Sequence, residues 1–393
     1  MARPAALRRL EALVETALKL VRTAPSGRLG LARLADAIEA EWLPEPWRSE
    51  LPGELRAARE ATCVPLSARD VERALRSAWG GRPTDELDDL DSEPVAVTPI
   101  AQVHRGVLDG DPVAVKVLRP RLAAGVRQDL ALLDGLLRPL ADAFPALDAR
   151  AIVRELSERV LEELDLEHEA DVQRRFHRAL RGHPAFAVAP AHTALARENV
   201  LVTGWIEGTP IARCADCDAA AAQLIRFMLG AARFGTVHAN PHLDDALVLA
   251  DGRLAVLDFG ATRTVDPGRV ADGVAALDAF AARDGAALGA ALGRLGWLPA
   301  GAGPAALELA LHALADLAGP GPSRLDSDAV CAARDRLAER PDALADLLVR
   351  GALPADDLWP ARGLGQLFGV IARVGATGDW VALCQEALRN GWD

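Results

Sequence analysis

The sequence predicts an α+β protein in which two β-hairpins are set between long helical stretches. The first hairpin is read from Val95 to Leu118. Strand-like flanks, Val95 to Leu108 and Val113 to Leu118, enclose a turn at Asp109-Gly-Asp-Pro112. The second joins Ala246 to Leu249 with Arg253 to Leu257 through Asp251-Gly252, a dipeptide that favours tight antiparallel turns. Third, residues 1 to about 90 and everything beyond Thr264 carry apolar residues at helical spacing, interrupted by Gly and Pro.

In chain order, the N-terminus alternates Arg3, Arg8, Arg9, Lys19 and Arg22 with Leu7, Leu10, Leu13, Leu18 and Val21, a basic amphipathic helix. Pro44, Pro46 and Pro52 punctuate the next segment. Ser67 caps a helix from Ala68 to Trp79, with Asp70 in place of the usual capping-box Glu, and Gly80-Gly81 ends it. Asp85 to Glu93 reads as an acidic linker. After the first hairpin, Arg121 to Leu140 forms a helix with Val126, Leu130, Leu133 and Leu137 on one face. Asp148 caps a second helix that runs unbroken to about Leu180. Val200 to Trp205 is a strand, Ile206 to Ile211 a turn-rich hinge, and Ala219 to Phe234 a helix that leads into the second hairpin.

Composition narrows the function. A chain of 393 residues with 50% hydrophobic residues can bury the cores of two or three domains. A net charge of −12 argues against nucleic acid as the main partner, while a nucleotide needs only a local cationic pocket. The five cysteines are odd in number and sparse, so a disulfide framework is not expected and a reducing compartment fits. Cys214 and Cys217 have metal-like spacing, but without a second ligand pair a zinc site is not expected. There is no apolar run of about 18 residues to span a membrane and no signal-peptide pattern. The expected location is cytoplasmic, with the basic N-terminal helix docked on its own protein or resting peripherally on an anionic membrane surface.

The chemistry concentrates in Thr236 to Thr262, where His238-x-Asn240, Asp244-Asp245 and Asp258 flank the second hairpin. Its geometry brings Asp245 and Asp258 to one end, where two oxygen ligands can hold a divalent metal; an ordinary acidic loop is the plain alternative. Lys116 sits inside an apolar strand, where an ammonium is costly unless paired or placed on an edge facing solvent. Glu163 and Glu169 are six residues apart on a helix and so point in different directions. A strand lysine, a helix glutamate, a loop with His-x-Asn and a carboxylate, and Asp-Phe-Gly after a strand, in that order, form the set that kinase phosphoryl transfer needs.

Across residues 25–300 the wording of these elements resembles the UbiB/AarF family of atypical protein-kinase-like proteins. The resemblance is carried by Ile100-Ala-Gln-Val-His104, Val113-Ala-Val-Lys-Val-Leu-Arg-Pro120, Glu162-Glu-Leu-Asp165 with Glu169, Val202-Thr-Gly-Trp-Ile-Glu-Gly-Thr-Pro-Ile211, His238-Ala-Asn-Pro-His242 and Leu257-Asp-Phe-Gly260. It implies a two-lobed protein-kinase-like fold: a helical N-terminal extension over residues 1–93, an N-lobe with inserted helices over 94–206, and a mostly helical C-lobe over 207–393. It further implies ATP and Mg as cofactors, and a role beside lipid or isoprenoid-quinone pathway proteins. Carried over by position, Lys116 binds phosphate, Glu169 orients it, and Glu163 and Asp165 lie near the nucleotide. Ala101 and Gln102 belong to an alanine-rich loop that replaces the glycine-rich one, Arg28 enters from the extension, and Asp258 and Asp245 hold the metal.

Three departures stand out. The family loop reads His-Ala-Asp-Pro-His-Pro-Gly-Asn, so Asn240 takes the catalytic base position and Asp245 that of a metal-binding Asn. An amide cannot accept a proton at neutral pH. Leu31 replaces the glutamine of the extension's Lys-x-Gly-Gln element, and Pro99 removes a backbone N–H from the alanine-rich loop. The expectation is a nucleotide-binding protein with weak ATPase or phosphotransferase activity; the alternative is a pseudokinase scaffold for protein or membrane partners. A small-molecule phosphotransferase of the aminoglycoside or choline kinase type is a third reading, weakened by Glu163-x-Asp165 and the helical extension.

Overall fold

The computed structural model describes residues 63–120, 122 and 149–393. The basic N-terminal helix, Arg28, Leu31 and the helix expected over 121–140 lie outside the described residues. Helix α1 (Ala68–Trp79) starts where the capping signal puts it: the Ser67 hydroxyl accepts the Asp70 N–H, and Gly80 closes the helix in the left-handed region at φ 75°.

A five-stranded antiparallel sheet follows. Its strands are β1 (Asp89–Leu90), β2 (Ala96–Val97), β3 (Ala101–Leu108), β4 (Asp111–Leu118) and, later in the chain, β6 (Val200–Gly204). The segment expected to be an acidic linker therefore supplies an edge strand, because Asp89 and Leu90 pair with Val107 and Gly106. Strand β4 is hydrogen-bonded on both sides, with Lys116 opposite Val103 on β3 and Leu201 on β6. The edge-strand reading of Lys116 is thereby excluded. Val113, Val115 and Val117 point to the opposite face and pack with Val71 and Leu75 of α1.

The helix expected to run unbroken to Leu180 is instead two, α2 (Ala149–Glu162) and α3 (Leu166–Ala179). The break has a local cause. The Asp165 carboxylate accepts the N–H groups of Glu167 and His168, so it caps a new helix rather than continuing the old one. Strand β5 (Phe186–Ala187) comes before β6 in the chain, and β7 (Thr209–Pro210) lies within the expected hinge. Helix α4 (Cys217–Gly230) then runs into β8 (Thr236–His238) through a 3₁₀ turn. The second hairpin is β9 (Ala246–Val248) with β10 (Leu254–Val256), flanked by β7 and, in parallel, by β5. Strand β11 (Thr262–Thr264) pairs with β8, setting Thr262 against His238.

The remainder is helical: α5 (Pro267–Ala281), α6 (Gly285–Leu295), α7 (Gly303–Ala313), α8 (Ser327–Glu339), α9 (Pro341–Arg350), α10 (Ala355–Val374) and α11 (Trp380–Asn390). One addition is a two-residue ladder between β12 (Ser323–Arg324) and β13 (Thr377–Gly378). The largest core gathers Phe176 of α3, Phe227 of α4, Phe259 and Trp392. The ring of Phe176 lies 4.9 Å from Phe259 and 5.5 Å from Trp392. Aromatic contact thus joins α3 to the Asp-Phe-Gly turn and to Trp392, just past the last helix.

Helix α10 crosses the loop after β8 at Gly363, where a Cβ would lie 2.6 Å from the carbonyl oxygen of His238 and 2.9 Å from Cα of Ala239. At Gly365, two residues on, a Cβ would meet nothing within 4 Å. Gly363→Ala should therefore cost about 1–3 kcal/mol through overpacking against backbone. Gly365→Ala should be neutral or stabilise by up to about 1 kcal/mol through helix propensity. Urea unfolding of the two variants checks the contrast.

Candidate functional site

Lys116 projects from the centre of β4 toward the start of α3. Its ammonium donates to both carboxylate oxygens of Glu169 at 2.9 Å and to Oδ2 of Asp258 at 3.3 Å. The Glu169 side chain is 1% exposed, that of Lys116 18% and that of Asp258 29%, so the triad opens to solvent on the aspartate side. Asp165 does the positioning: by starting α3, it puts Glu169 in the first turn, facing β4. Burial works against the Lys116 ammonium, but Asp258 and Glu169 outweigh it and raise its pKa well above the ordinary range. Burial pushes the Glu169 carboxyl up, with Lys116 pulling against that shift. Two 2.9 Å contacts from one ammonium to one carboxylate are the geometry of a charged pair.

The Asp-Phe-Gly turn is bound from several directions. The Gly260 N–H donates to Oδ1 of Asp258 at 2.9 Å, orienting that carboxylate. A Cβ at Gly260 would lie 3.2 Å from Oε2 of Glu169, so glycine lets the turn approach the pair. His238 is buried, and burial lowers its pKa. Its partners fix the tautomer. Nδ1 accepts the Asn240 N–H at 3.3 Å, so Nε2 carries the proton and donates to the Asp258 carbonyl at 2.6 Å. One neutral imidazole therefore clamps the His-x-Asn loop to the Asp-Phe-Gly turn.

Asp245 reaches the same end of the hairpin, as the sequence predicts. The Leu257 N–H donates to the Asp245 carbonyl at 2.9 Å, extending the β9–β10 ladder by one step and placing Asp245 beside Asp258. Burial and the neighbouring Asp258 push the Asp245 carboxyl up to about 8. A pair of crowded carboxylates of this kind is relieved by a proton or by a cation.

Asn240 is 3% exposed and engaged. Its Oδ1 accepts Nη2 of Arg362 at 2.6 Å, and Nη1 of the same guanidinium lies 3.3 Å from Oε1 of Glu163. The guanidinium stacks over Trp359 at 4.7 Å. Glu163 and Glu169 do serve different partners, Arg362 and Lys116. Arg362 and Trp359 belong to α10, in a region where the sequence showed no chemistry. The available signal was Gly363 and Gly365 inside a helical pattern, which marks a close approach to another element.

The alanine-rich loop presents less than expected. Thr98 Oγ1 accepts the Ala101 N–H at 3.0 Å and the Ile100 N–H at 3.3 Å. The Gln102 side chain accepts the Leu66 N–H at 2.7 Å and lies 2.6 Å from Nε2 of His104. Ala101 and Gln102 thus spend these groups on holding the loop and on the segment before α1. Asp165 spends its carboxylate on the α3 cap. Among the described residues, Lys116, Glu169, Glu163, Asn240, Asp245 and Asp258 converge on one region.

The Asp245 carboxyl holds its proton in the fold at a pH where the unfolded chain, titrating near the ordinary 3.8, has lost it. Its stabilisation is complete below that value and is lost as pH rises through about 8. The thermal midpoint should fall across this window, by at most about 1.4 kcal/mol of stability per pH unit from this one proton. Asp245→Asn should flatten that portion of the profile, which thermal unfolding across the window measures.

Residues 58–291, more than half of the chain, match the family described as the ABC1 atypical kinase-like domain. The mitochondrial atypical kinase COQ8B of Danio rerio is 27% identical over 201 residues, 49% of this chain and 32% of that protein. The chloroplastic ACTIVITY OF BC1 COMPLEX KINASE 1 of Arabidopsis thaliana is 32% identical over 197 residues, 46% of this chain and 28% of that protein. The chain thus spans well under two thirds of these relatives' own length. Rv3197 of Mycobacterium tuberculosis, solved as a complex with erythromycin, superposes with a TM-score of 0.61 at 25% identity, covering 91% of this chain and 90% of its own. The kinase-like α+β fold, the order of the motifs and the family match agree: this chain belongs to the ABC1 atypical kinase-like family, the UbiB/AarF group.

Proposed function

We propose that the chain binds ATP as its magnesium complex and transfers or hydrolyses the terminal phosphate slowly or not at all. The observation that carries this reading is the Lys116 ammonium held between Glu169 at 2.9 Å and Asp258 at 3.3 Å. In the proposal Lys116 meets the nucleotide phosphates, and Glu169 keeps the ammonium charged and aimed. Asp258 and Asp245 hold the metal. Their crowding supports the fit, since the Asp258 charge adds to the cost of ionising Asp245. Magnesium is usually held by only one or two carboxylates, its other positions going to phosphate and water. Among the described residues no cluster of three or more His, Cys, Asp or Glu side chains is shaped to hold a metal alone, which suits an ion that arrives with its nucleotide. When bound, the ion would neutralise phosphate charge.

Asn240 cannot take the acceptor's proton, and the loss of a general base typically costs about 10²–10⁴-fold in rate. Phosphoryl transfer rests mainly on positioning and charge, so binding outlasts turnover. The wider role proposed, support of isoprenoid-quinone or other lipid metabolism with peripheral contact at a membrane, rests on the family resemblance. Among the described residues no helix is long and apolar enough to cross a membrane. The second reading, a pseudokinase scaffold, draws its support from the bond between Arg362 and Asn240, which occupies the base position.

Calorimetric titration of MgATP into the full chain should give saturable binding, weakened at least about tenfold in Asp258→Ala by loss of a charged metal contact. An absence of saturable binding to the unaltered chain overturns the nucleotide reading. Replacing Asn240→Asp together with Asp245→Asn should raise ATP turnover by roughly 10²-fold or more. No gain, together with no binding, favours the scaffold.

A further inference from the structure

We propose that Cys214 and Cys217 are a thiol–disulfide exchange site, closing reversibly into an intramolecular disulfide at the expense of a small-molecule disulfide such as oxidised glutathione. The inference is independent of the nucleotide reading. The two sulfurs lie 3.9 Å apart, about 2 Å beyond bonding distance. Cys214 ends the 3₁₀ turn Ile211–Arg213, and Cys217 opens α4 behind its N-cap Asp216. Both side chains are half-buried, so a small disulfide can reach them. What holds them as thiols is weak: Cys214 Sγ donates to the Ile211 carbonyl at 3.1 Å, and Cys217 Sγ to the Cys214 carbonyl at 3.5 Å. Among the described residues they join no group of three or more metal-ligating side chains, so the spacing answers to redox chemistry better than to zinc.

Position divides the roles. Cys217 stands in the first turn of α4, and Cys214 in the turn before it. Burial, then the adjacent Cys217, push the Cys214 thiol up to about 11, which suits the second step rather than the first. The Cys217 thiolate attacks one sulfur of the small disulfide, forming a mixed disulfide and expelling one thiolate. Cys214 loses its proton and attacks Sγ of Cys217, forming the intramolecular bond and expelling the second thiolate. Two protein thiols are oxidised, one S–S bond of the co-reactant is reduced, and two small thiols leave.

The bond would link the turn after β7 to the start of α4. Ile211 in that turn is fully buried in the core that also holds Phe227 and Phe259. The staple would therefore lie at the border of the core that Phe259 of the Asp-Phe-Gly turn also enters, against which Cys214 packs.

The full chain is equilibrated in buffers of reduced and oxidised glutathione, quenched with acid and alkylated, and its peptides are mapped by mass spectrometry. The Cys214–Cys217 link should go from about one tenth to about nine tenths formed over a roughly hundredfold change in the ratio of oxidised to squared reduced glutathione. Cys214→Ser should accumulate one glutathione on Cys217. Cys217→Ser should leave Cys214 mostly reduced under the same conditions. Persistence of both thiols in the most oxidising buffer overturns the site, as does a stable glutathione adduct on the unaltered chain without the link. An adduct on Cys214 that builds up faster than the one on Cys217 overturns the order of attack.

Discussion

An ammonium in the middle of a valine-rich strand constrains the rest of this molecule. Val115 and Val117 on either side of Lys116 are fully buried, and hydrogen-bonded strands close both flanks. Taking a charge out of water costs several kcal/mol, and removing one member of a buried pair costs about 3–5 kcal/mol because the other is left without a counter-charge. Lys116 is satisfied only when a glutamate 53 residues away and an aspartate 142 residues away arrive together. The ion triad thus couples the five-stranded sheet, α3 and the Asp-Phe-Gly turn into one arrangement, which cannot be assembled piecemeal without stranding a charge.

Local chemistry makes that convergence available. Asp165 interrupts a helix that could have run on, and the new start sets the angle at which Glu169 meets β4. Gly260 lets the turn come within contact of Glu169, and the neutral His238 fastens the loop before the hairpin to the turn after it. Gly363 does for α10 what Gly260 does for the turn, and so brings Arg362 to Asn240 and Glu163. Each device satisfies a backbone group or removes a Cβ. None is chemically reactive, yet the positions of the charged groups depend on all of them.

Both hairpins and the α1 cap are legible because they depend on short-range rules: alternation, Asp-Gly turns and a capping serine. The partnership of Lys116 with Glu169 comes only from the family resemblance, and the contact of Lys116 with Asp258, expected as a metal ligand, is not foreseen, since these partners lie 53 and 142 residues away. The helix break at Glu163–Asp165 was not legible either. Aspartate inside an amphipathic stretch reads equally well as a solvated helix position and as a cap, and the apolar pattern does not separate the two. Arg362 was hidden for a related reason. An arginine on an amphipathic helix is ordinarily solvated, and its partners lie 122 and 199 residues away. Ala101 and Gln102, expected in an alanine-rich loop, instead open strand β3, and the sequence does not reveal that Thr98 and Leu66 engage their polar groups.

The two exchanges in the loop before the second hairpin are best understood as a movement of an ionisable group. With Asn at 240, the Arg362 guanidinium is balanced by Glu163 rather than by a base beside it. With Asp at 245, this end of the hairpin carries a second carboxyl next to Asp258, and burial together with the Asp258 charge holds a proton on it to about pH 8. Relative to the family loop, an ionisable carboxyl is missing at position 240 and present at position 245, where it can exchange its proton for a cation. A site that had merely decayed would be expected to lose charge at both places. Here the triad around Lys116 is intact and the carboxyl pair beside it can trade a proton for a cation, while Asn240 is bonded to Arg362. That asymmetry accords with the proposed reading, in which a cation-bound nucleotide is held more than it is turned over.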